Sequence, residues 1–158
     1  MKLGIARLFY SRIGTSRPPP PPALQADRNM HRLTSKNHQP TILLVEDDEM
    51  IRDSMTRILV REGYLAMTAE TGHDALGFLR APLSPIDVVI LDVHLPDVSG
   101  IDLCARIREL HPNMPVVVCT GEAEPSEGAQ LLELGVYRYF RKPVAVDELL
   151  ATVEAALP

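Results

Sequence analysis

Val88-Val89-Ile90-Leu91-Asp92-Val93-His94-Leu95-Pro96-Asp97-Val98-Ser99-Gly100 sets four apolar residues against an aspartate, then a loop with one proline and one glycine. A continuous apolar run of this length fits a strand buried on both faces, as in a parallel sheet covered by helices. Asp92 interrupts the run where no turn is yet needed, which places its carboxyl at the carboxyl end of a strand. Ser99 then reads as the N-cap of a helix marked by Ile101, Leu103, Cys104, Ile107 and Leu110.

The same alternation extends in both directions. Upstream, Ile42-Leu43-Leu44-Val45 is a first buried strand, and Met50, Met55, Ile58 and Leu59 mark a helix that Gly63 closes. Tyr64 to Ala69 reads as a second strand and Thr71 to Arg80 as a second helix, broken by Pro82 and Pro85. Downstream, Val116-Val117-Val118-Cys119 is a fourth strand, followed by a helix over about Ser126 to Leu134 with Gly128 inside it. Val136 to Phe140 is a fifth strand and Asp147 to Leu157 a closing helix. Five strand–helix units with short connections predict an α/β fold: a doubly wound, five-stranded parallel sheet with five helices.

The 158 residues divide by charge. Residues 1–40 carry seven Lys or Arg against Asp27 alone, and Pro18 to Pro22 is an unbroken proline run. This stretch is expected to be a disordered, basic, proline-rich tail. Met30 is an alternative start. Residues 41–158 form the folded domain and carry twenty acids against nine Lys or Arg, a balance that disfavours nucleic acid. No apolar run is long enough for a membrane-spanning helix. Cys104 and Cys119 make no disulfide framework or metal spacing, so buried apolar fillers in a cytoplasmic protein are expected. His31, His38, His73 and His111 are not spaced as ligands and read as surface residues.

In an open parallel sheet, ligands bind beyond the carboxyl ends of the strands, beside the switch in strand order. Glu46, Asp47, Asp48 and Glu49 follow the first strand, Asp92 the third, Thr120 ends the fourth, and Arg141-Lys142-Pro143 follows the fifth. Asp48 and Glu49 also suit a helix N-terminus. Grouped carboxylates are relieved by a hard divalent cation, Mg²⁺ above all. With a nearby hydroxyl and ammonium they suit phosphoryl transfer, a carboxylate serving as nucleophile.

These residues resemble the receiver domain of two-component response regulators, a CheY-like, flavodoxin-like fold. Val45-Glu46-Asp47-Asp48 is similar to the family's first strand end and acidic pair. Asp92 with Pro96 and Gly100 is similar to its phosphoacceptor segment, Thr120-Gly121 to its switch hydroxyl, and Tyr139-Phe140-Arg141-Lys142-Pro143 to its aromatic switch and lysine. Spacings of 45 residues from Asp47 to Asp92, 28 to Thr120 and 22 more to Lys142 agree, and the resemblance covers about 42–157.

The resemblance implies that Asp92 is phosphorylated by a histidine kinase or phosphotransfer protein. Mg²⁺ would be held by Asp47, Asp92 and the backbone carbonyl of His94, with Glu46 acting through a water. Thr120 and Lys142 would contact the phosphoryl group. Thr120 and Tyr139 would switch the face of helix four, strand five and helix five, through which a downstream protein or a second copy would dock. A cis Lys142–Pro143 bond is also implied. His94 and Glu122 lie where the resembling family tunes dephosphorylation; a carboxylate at 122 near the pocket would orient water or repel a phosphodonor, and the imidazole of His94 is read instead as a surface group whose carbonyl matters. Tyr137 and Tyr139, two apart on one expected strand, are placed on the same side of it.

Such a protein is no turnover enzyme, catalysing only its own phosphorylation and dephosphorylation. With the chain ending at the fifth helix, a stand-alone receiver without a DNA-binding domain is expected, although a piece of a longer regulator would read identically over 42–158. Two alternatives stand beside it. One is an interaction module independent of phosphorylation. The other, a haloacid-dehalogenase-type phosphatase, needs an Asp-x-Asp that neither Asp47-Asp48-Glu49 nor Asp92-Val93-His94 supplies.

Overall fold

The computed structural model describes residues 38–82, 84–121 and 125–157. The expected tail up to residue 37, with Met30, His31 and the proline run, lies outside these residues, as does Glu122. Hydrogen bonding of the folded part reaches back to Gln39, whose side-chain amide donates to Gly63 O, and to Pro40, whose carbonyl accepts from Leu65 N.

Five strands, β1 (Thr41–Val45), β2 (Leu65–Ala69), β3 (Ile86–Leu91), β4 (Val116–Thr120) and β5 (Arg138–Arg141), form one sheet in the order β2-β1-β3-β4-β5. All four pairings are parallel. Five helices alternate with them: α1 (Glu49–Arg61), α2 (Gly72–Leu79), α3 (Gly100–Leu110), α4 (Pro125–Glu133) and α5 (Val146–Ala156). This is the doubly wound architecture expected from the apolar runs, with the flavodoxin-like fold that the resemblance implied.

Strand alternation divides the core in two. Leu43, Val45, Val89, Leu91, Val116 and Val118 meet Ala75, Leu76 and Leu79 of α2, Leu103, Cys104 and Ile107 of α3, and Leu131 of α4. Ile42, Leu44, Val88, Ile90, Val117 and Cys119 meet Leu59 of α1 and Leu149, Val153 and Ala156 of α5. Each fully buried Leu, Ile or Val contributes about 1.5–3 kcal/mol relative to exposure, so two-sided burial requires the uninterrupted apolar strands. The chain turns from β2 on one side of β1 to β3 on the other, which opens a crevice at their carboxyl ends.

Helix ends follow their local signals. Ser99 Oγ accepts from Asp102 N, Thr71 Oγ1 from Asp74 N and Asp48 Oδ1 from Ile51 N. At the end of α1, Tyr64 N donates to Leu59 O and Gly63 N to Val60 O, a Schellman closure with Gly63 at φ +89°. Among the helices, α4 carries a second lock. Arg108 of α3 donates from Nε to Leu134 O at 3.0 Å, from Nη2 to Gly135 O at 2.7 Å and from Nη1 to Met114 O, gathering the carbonyls past α4 and before β4.

Three expectations need correction. β5 begins at Arg138 rather than Val136, because Val136 N closes the end of α4 by donating to Leu131 O, and strand-like hydrogen bonding starts after it. Tyr137 therefore precedes the strand, and the two tyrosines fall on opposite sides of the sheet. Tyr137 packs against the α1/α5 side with its hydroxyl donating to Ala155 O, whereas Tyr139 packs toward α2, α3 and α4. His111 is half-buried, its Nε2 2.7 Å from Leu79 O, and so links the end of α3 to the end of α2.

The glycine eight residues after Asp92 has a steric reason. Gly100 N donates to Val93 O at 2.8 Å, and a Cβ at this position would stand 2.4 Å from Val93 Cα. Gly100→Ala is expected to destabilise the domain by about 3 kcal/mol, since backbone rather than a flexible side chain must yield. Urea unfolding of variant and parent measures this; a difference below about 1 kcal/mol would show that the loop accommodates the methyl group.

Candidate phosphoryl-transfer site

The crevice collects its side chains from four strand ends. β1 delivers Glu46, 4% exposed, and the exposed Asp47, while β3 delivers Asp92, 7% exposed. β4 ends in the fully buried Thr120, and Lys142 follows β5 after a chain reversal in which its amide donates to Thr120 O at 2.7 Å. The Lys142–Pro143 bond is cis, as the resemblance implied.

Lys142 Nζ joins the two buried carboxylates, donating to Glu46 Oε2 at 2.7 Å and to Asp92 Oδ2 at 2.6 Å. Asp92 Oδ1 accepts from His94 N at 3.1 Å. Burial lifts the Glu46 carboxyl above the ordinary glutamate value, and the Lys142 hydrogen bond opposes that rise without cancelling it. Burial alone would lower the Lys142 ammonium, but its bonds to Asp92 and Glu46 outweigh that and hold it above the ordinary lysine value. The site is a buried carboxylate pair stitched by one ammonium.

Glu46, Asp47 and Asp92 each offer a carboxylate oxygen, all within 4.8 Å of one another. Hard oxygen donors at this spacing, with net negative charge even after Lys142, fit a divalent cation such as Mg²⁺. Asp48 caps α1 and Glu49 sits in its first turn, so these two acids serve the helix.

Three further residues carry the site without a side-chain motif to announce them. Arg52 of α1 is 8% exposed and reaches back under the acidic loop. Its Nη1 donates to Glu46 O at 2.9 Å and Asp47 O at 3.1 Å, and its Nη2 to Glu70 Oε1 at 2.8 Å. Asp97, past Asp92, accepts from Gly72 N and His73 N and so ties the β3–α3 loop to the start of α2. Desolvation would raise its carboxyl, yet those amide donors hold it below the ordinary aspartate value. The third is the His94 imidazole, expected to be an idle surface group. It is exposed, but its Nδ1 lies 3.1 Å from Thr120 Oγ1 and 4.0 Å from Asp92 Oδ1.

Arg52→Met would leave two loop carbonyls short of donors and Glu70 without its cation. A loss of about 2 kcal/mol is expected, together with weaker divalent-cation binding. Isothermal titration with Mg²⁺ beside urea unfolding checks both, and unchanged cation affinity would show that the loop holds its shape without Arg52. Cys119, next to Thr120, is buried, and its thiol is pushed up to about 12 by desolvation, so it is not a reactive thiolate.

The profile of the response regulator receiver domain matches residues 42–154. The chain belongs to that family. Its relatives include the transcriptional regulatory protein CreB of Escherichia coli, 38% identical over 74% of this chain and 50% of CreB. Solved receiver structures agree in fold. A CheY-like receiver domain protein of Methanospirillum hungatei is 31% identical with a TM-score of 0.70, covering 74% of this chain and 92% of that one. A Burkholderia pseudomallei response regulator with a phosphorylated aspartic acid, a calcium ion and citrate is 29% identical with a TM-score of 0.66, covering 72% and 66%. The chain spans about half the length of the curated relatives it matches. Among the described residues of this receiver, no helix is long and apolar enough to cross a membrane.

Proposed function

We propose that this receiver accepts a phosphoryl group on Asp92 from the phosphohistidine of a histidine kinase or phosphotransfer protein. The observation that carries the reading is Asp92 itself. It is a buried carboxylate at the switch point, with one oxygen held by Lys142 at 2.6 Å and two further carboxylates within 4.8 Å. The phosphorylated aspartic acid in the Burkholderia structure, which also holds a calcium ion, supports it by analogy.

In the transfer, the Asp92 oxygen not held by Lys142 bonds to phosphorus as the bond from phosphorus to the donor imidazole nitrogen breaks. The electron pair leaves with that nitrogen. Lys142 fixes the carboxylate and stands ready to balance charge on the phosphoryl oxygens, and Thr120 offers its hydroxyl to one of them. Asp47, Asp92 and the His94 carbonyl would hold Mg²⁺ and Glu46 would reach it through a water; the bound ion supplies positive charge to the phosphoryl oxygens. Arg52 keeps the acidic loop in place throughout.

Tyr139 is the switch aromatic in this reading. It lies on the α4 side of the sheet, against Gly128, whereas Tyr137 is committed to α5 through Ala155 O. Movement of Thr120 toward the phosphoryl group would free space for the Tyr139 ring and reshape the α4–β5–α5 face for a downstream protein or a second copy. The protein's chemistry is confined to its own Asp92, in a cytoplasmic setting, with no turnover of small phosphoesters.

The test incubates the protein with acetyl phosphate and Mg²⁺ and weighs it intact. One Mg²⁺-dependent, base-labile phosphoryl adduct is expected. Its absence in folded protein that binds Mg²⁺ would favour an interaction module independent of phosphorylation.

A further inference from the structure

Thr120 is fully buried, so its hydroxyl must find hydrogen-bond partners inside the protein. One of them is the ring of His94, with Nδ1 at 3.1 Å from Oγ1. The contact joins two loops 26 residues apart in sequence, the segment after β3 and the end of β4. A hydroxyl can donate to a bare ring nitrogen or accept from a protonated one, so the contact does not depend on the tautomer.

The placement of the ring matters as much as the bond. Asp92 Oδ2 is held by the Lys142 ammonium and Oδ1 accepts from the His94 backbone amide, so Oδ1 is the oxygen without a charged partner and the one a phosphoryl group would take. The His94 Nδ1 stands 4.0 Å from Oδ1, so the ring sits within reach of a phosphoryl group bonded there. The His94 side chain is 56% exposed, and its ring has open solvent to move into once the bond to Thr120 breaks. The backbone amide of His94, meanwhile, stays on Asp92 Oδ1, so loop and ring make separable contacts.

We infer that His94 is a latch on Thr120, a positioning residue that holds the hydroxyl in its unphosphorylated place and must let go before Thr120 can serve the phosphoryl group. This rests on the phosphoacceptor reading of Asp92 and adds a control on it. The latch biases the receiver toward its resting form by about the net strength of one hydrogen bond, a factor of about 3–10. Without the bond an exposed ring costs little to displace, so the bias acts through Thr120 rather than by bulk.

Beryllium trifluoride, which mimics the phosphoryl group on a carboxylate, tests this with Mg²⁺ present. His94→Ala keeps the backbone carbonyl and amide and is expected to bind the mimic about 3–10-fold more tightly than the parent. In a Thr120→Ala background the same change is expected to shift affinity less than about 2-fold. In the parent, the ¹⁵N signals of the His94 ring are expected to move to those of a solvated histidine as the mimic saturates. Unchanged or weaker binding by His94→Ala, a full gain persisting without the Thr120 hydroxyl, or ring signals that stay put would each overturn the latch. Failure of parent and variant alike to bind the mimic, while folded and binding Mg²⁺, would overturn the phosphoacceptor reading and the latch with it.

Discussion

Asp92→Asn is expected to abolish the phosphoryl adduct outright, leaving nothing above background after exposure to acetyl phosphate and Mg²⁺. The neutral amide oxygen lacks the negative charge and nucleophilicity needed to form a stable bond to phosphorus, and no neighbouring group replaces it. Glu46 is occupied by Lys142 at 2.7 Å, and Asp47 is exposed, with no ammonium among the described residues to fix its orientation. The fold should survive, because the amide oxygen can still accept from Lys142 or from His94 N, and Lys142 keeps Glu46. A stability change within about 1 kcal/mol is expected. Cation binding should weaken about tenfold, since one of three clustered carboxylates loses its charge. Intact mass, urea unfolding and calorimetric titration read the three effects separately. An adduct of undiminished yield in the variant would place the acceptor elsewhere, with Asp47 the first residue to examine.

Legibility of this molecule in its sequence followed the kind of partner each residue has. The strands β1, β3 and β4 are buried on both faces, so apolar runs such as Ile42–Val45 marked them directly. Ser99 was visible as a helix cap because capping is local, and Asp48 as an acid at a helix N-terminus, whereas Thr71, read as the first residue of its helix, turned out to be its cap. Val136 misled because an apolar residue next to a strand looks like part of it; here its amide is committed to closing α4. That two-residue slip also put Tyr137 and Tyr139 on one side, when only Tyr139 belongs to the strand's alternation. Site residues with side-chain partners at strand ends, Glu46, Asp92, Thr120 and Lys142, stood out as a set. Arg52 did not, because two of its partners are backbone carbonyls, which leave no trace in residue type. The His94 contact needed the adjacency of β3 and β4, and that adjacency was available: residues just past β3 must lie beside the end of β4.

Lys142→Met is expected to destabilise the cation-free protein by about 3 kcal/mol at neutral pH while tightening Mg²⁺ binding about tenfold. The side chain is close to isosteric, so the change isolates the ammonium. Removing it leaves Glu46 and Asp92, 5% and 9% exposed in their side chains, facing one another as uncompensated buried charges. The pH dependence follows with a definite sign. In the parent the Lys142 value is raised on folding, so its contribution is fully present below the ordinary lysine range and fades only as pH rises through the folded value. Glu46 is raised as well, chiefly by burial, and loss of the opposing Lys142 hydrogen bond lifts it further. A carboxyl raised on folding takes up a proton as the protein folds, so the variant should regain stability as pH falls toward about 5. Mg²⁺ should restore it at neutral pH, because the ion supplies the missing positive charge to the same oxygens. In the parent the ion and the ammonium compete for Glu46 and Asp92, which is why removing the ammonium tightens binding. Urea midpoints at the two pH values, with and without Mg²⁺, and a calorimetric titration test each part. Weaker or unchanged Mg²⁺ binding would show that Lys142 shapes the cation site more than it competes with it.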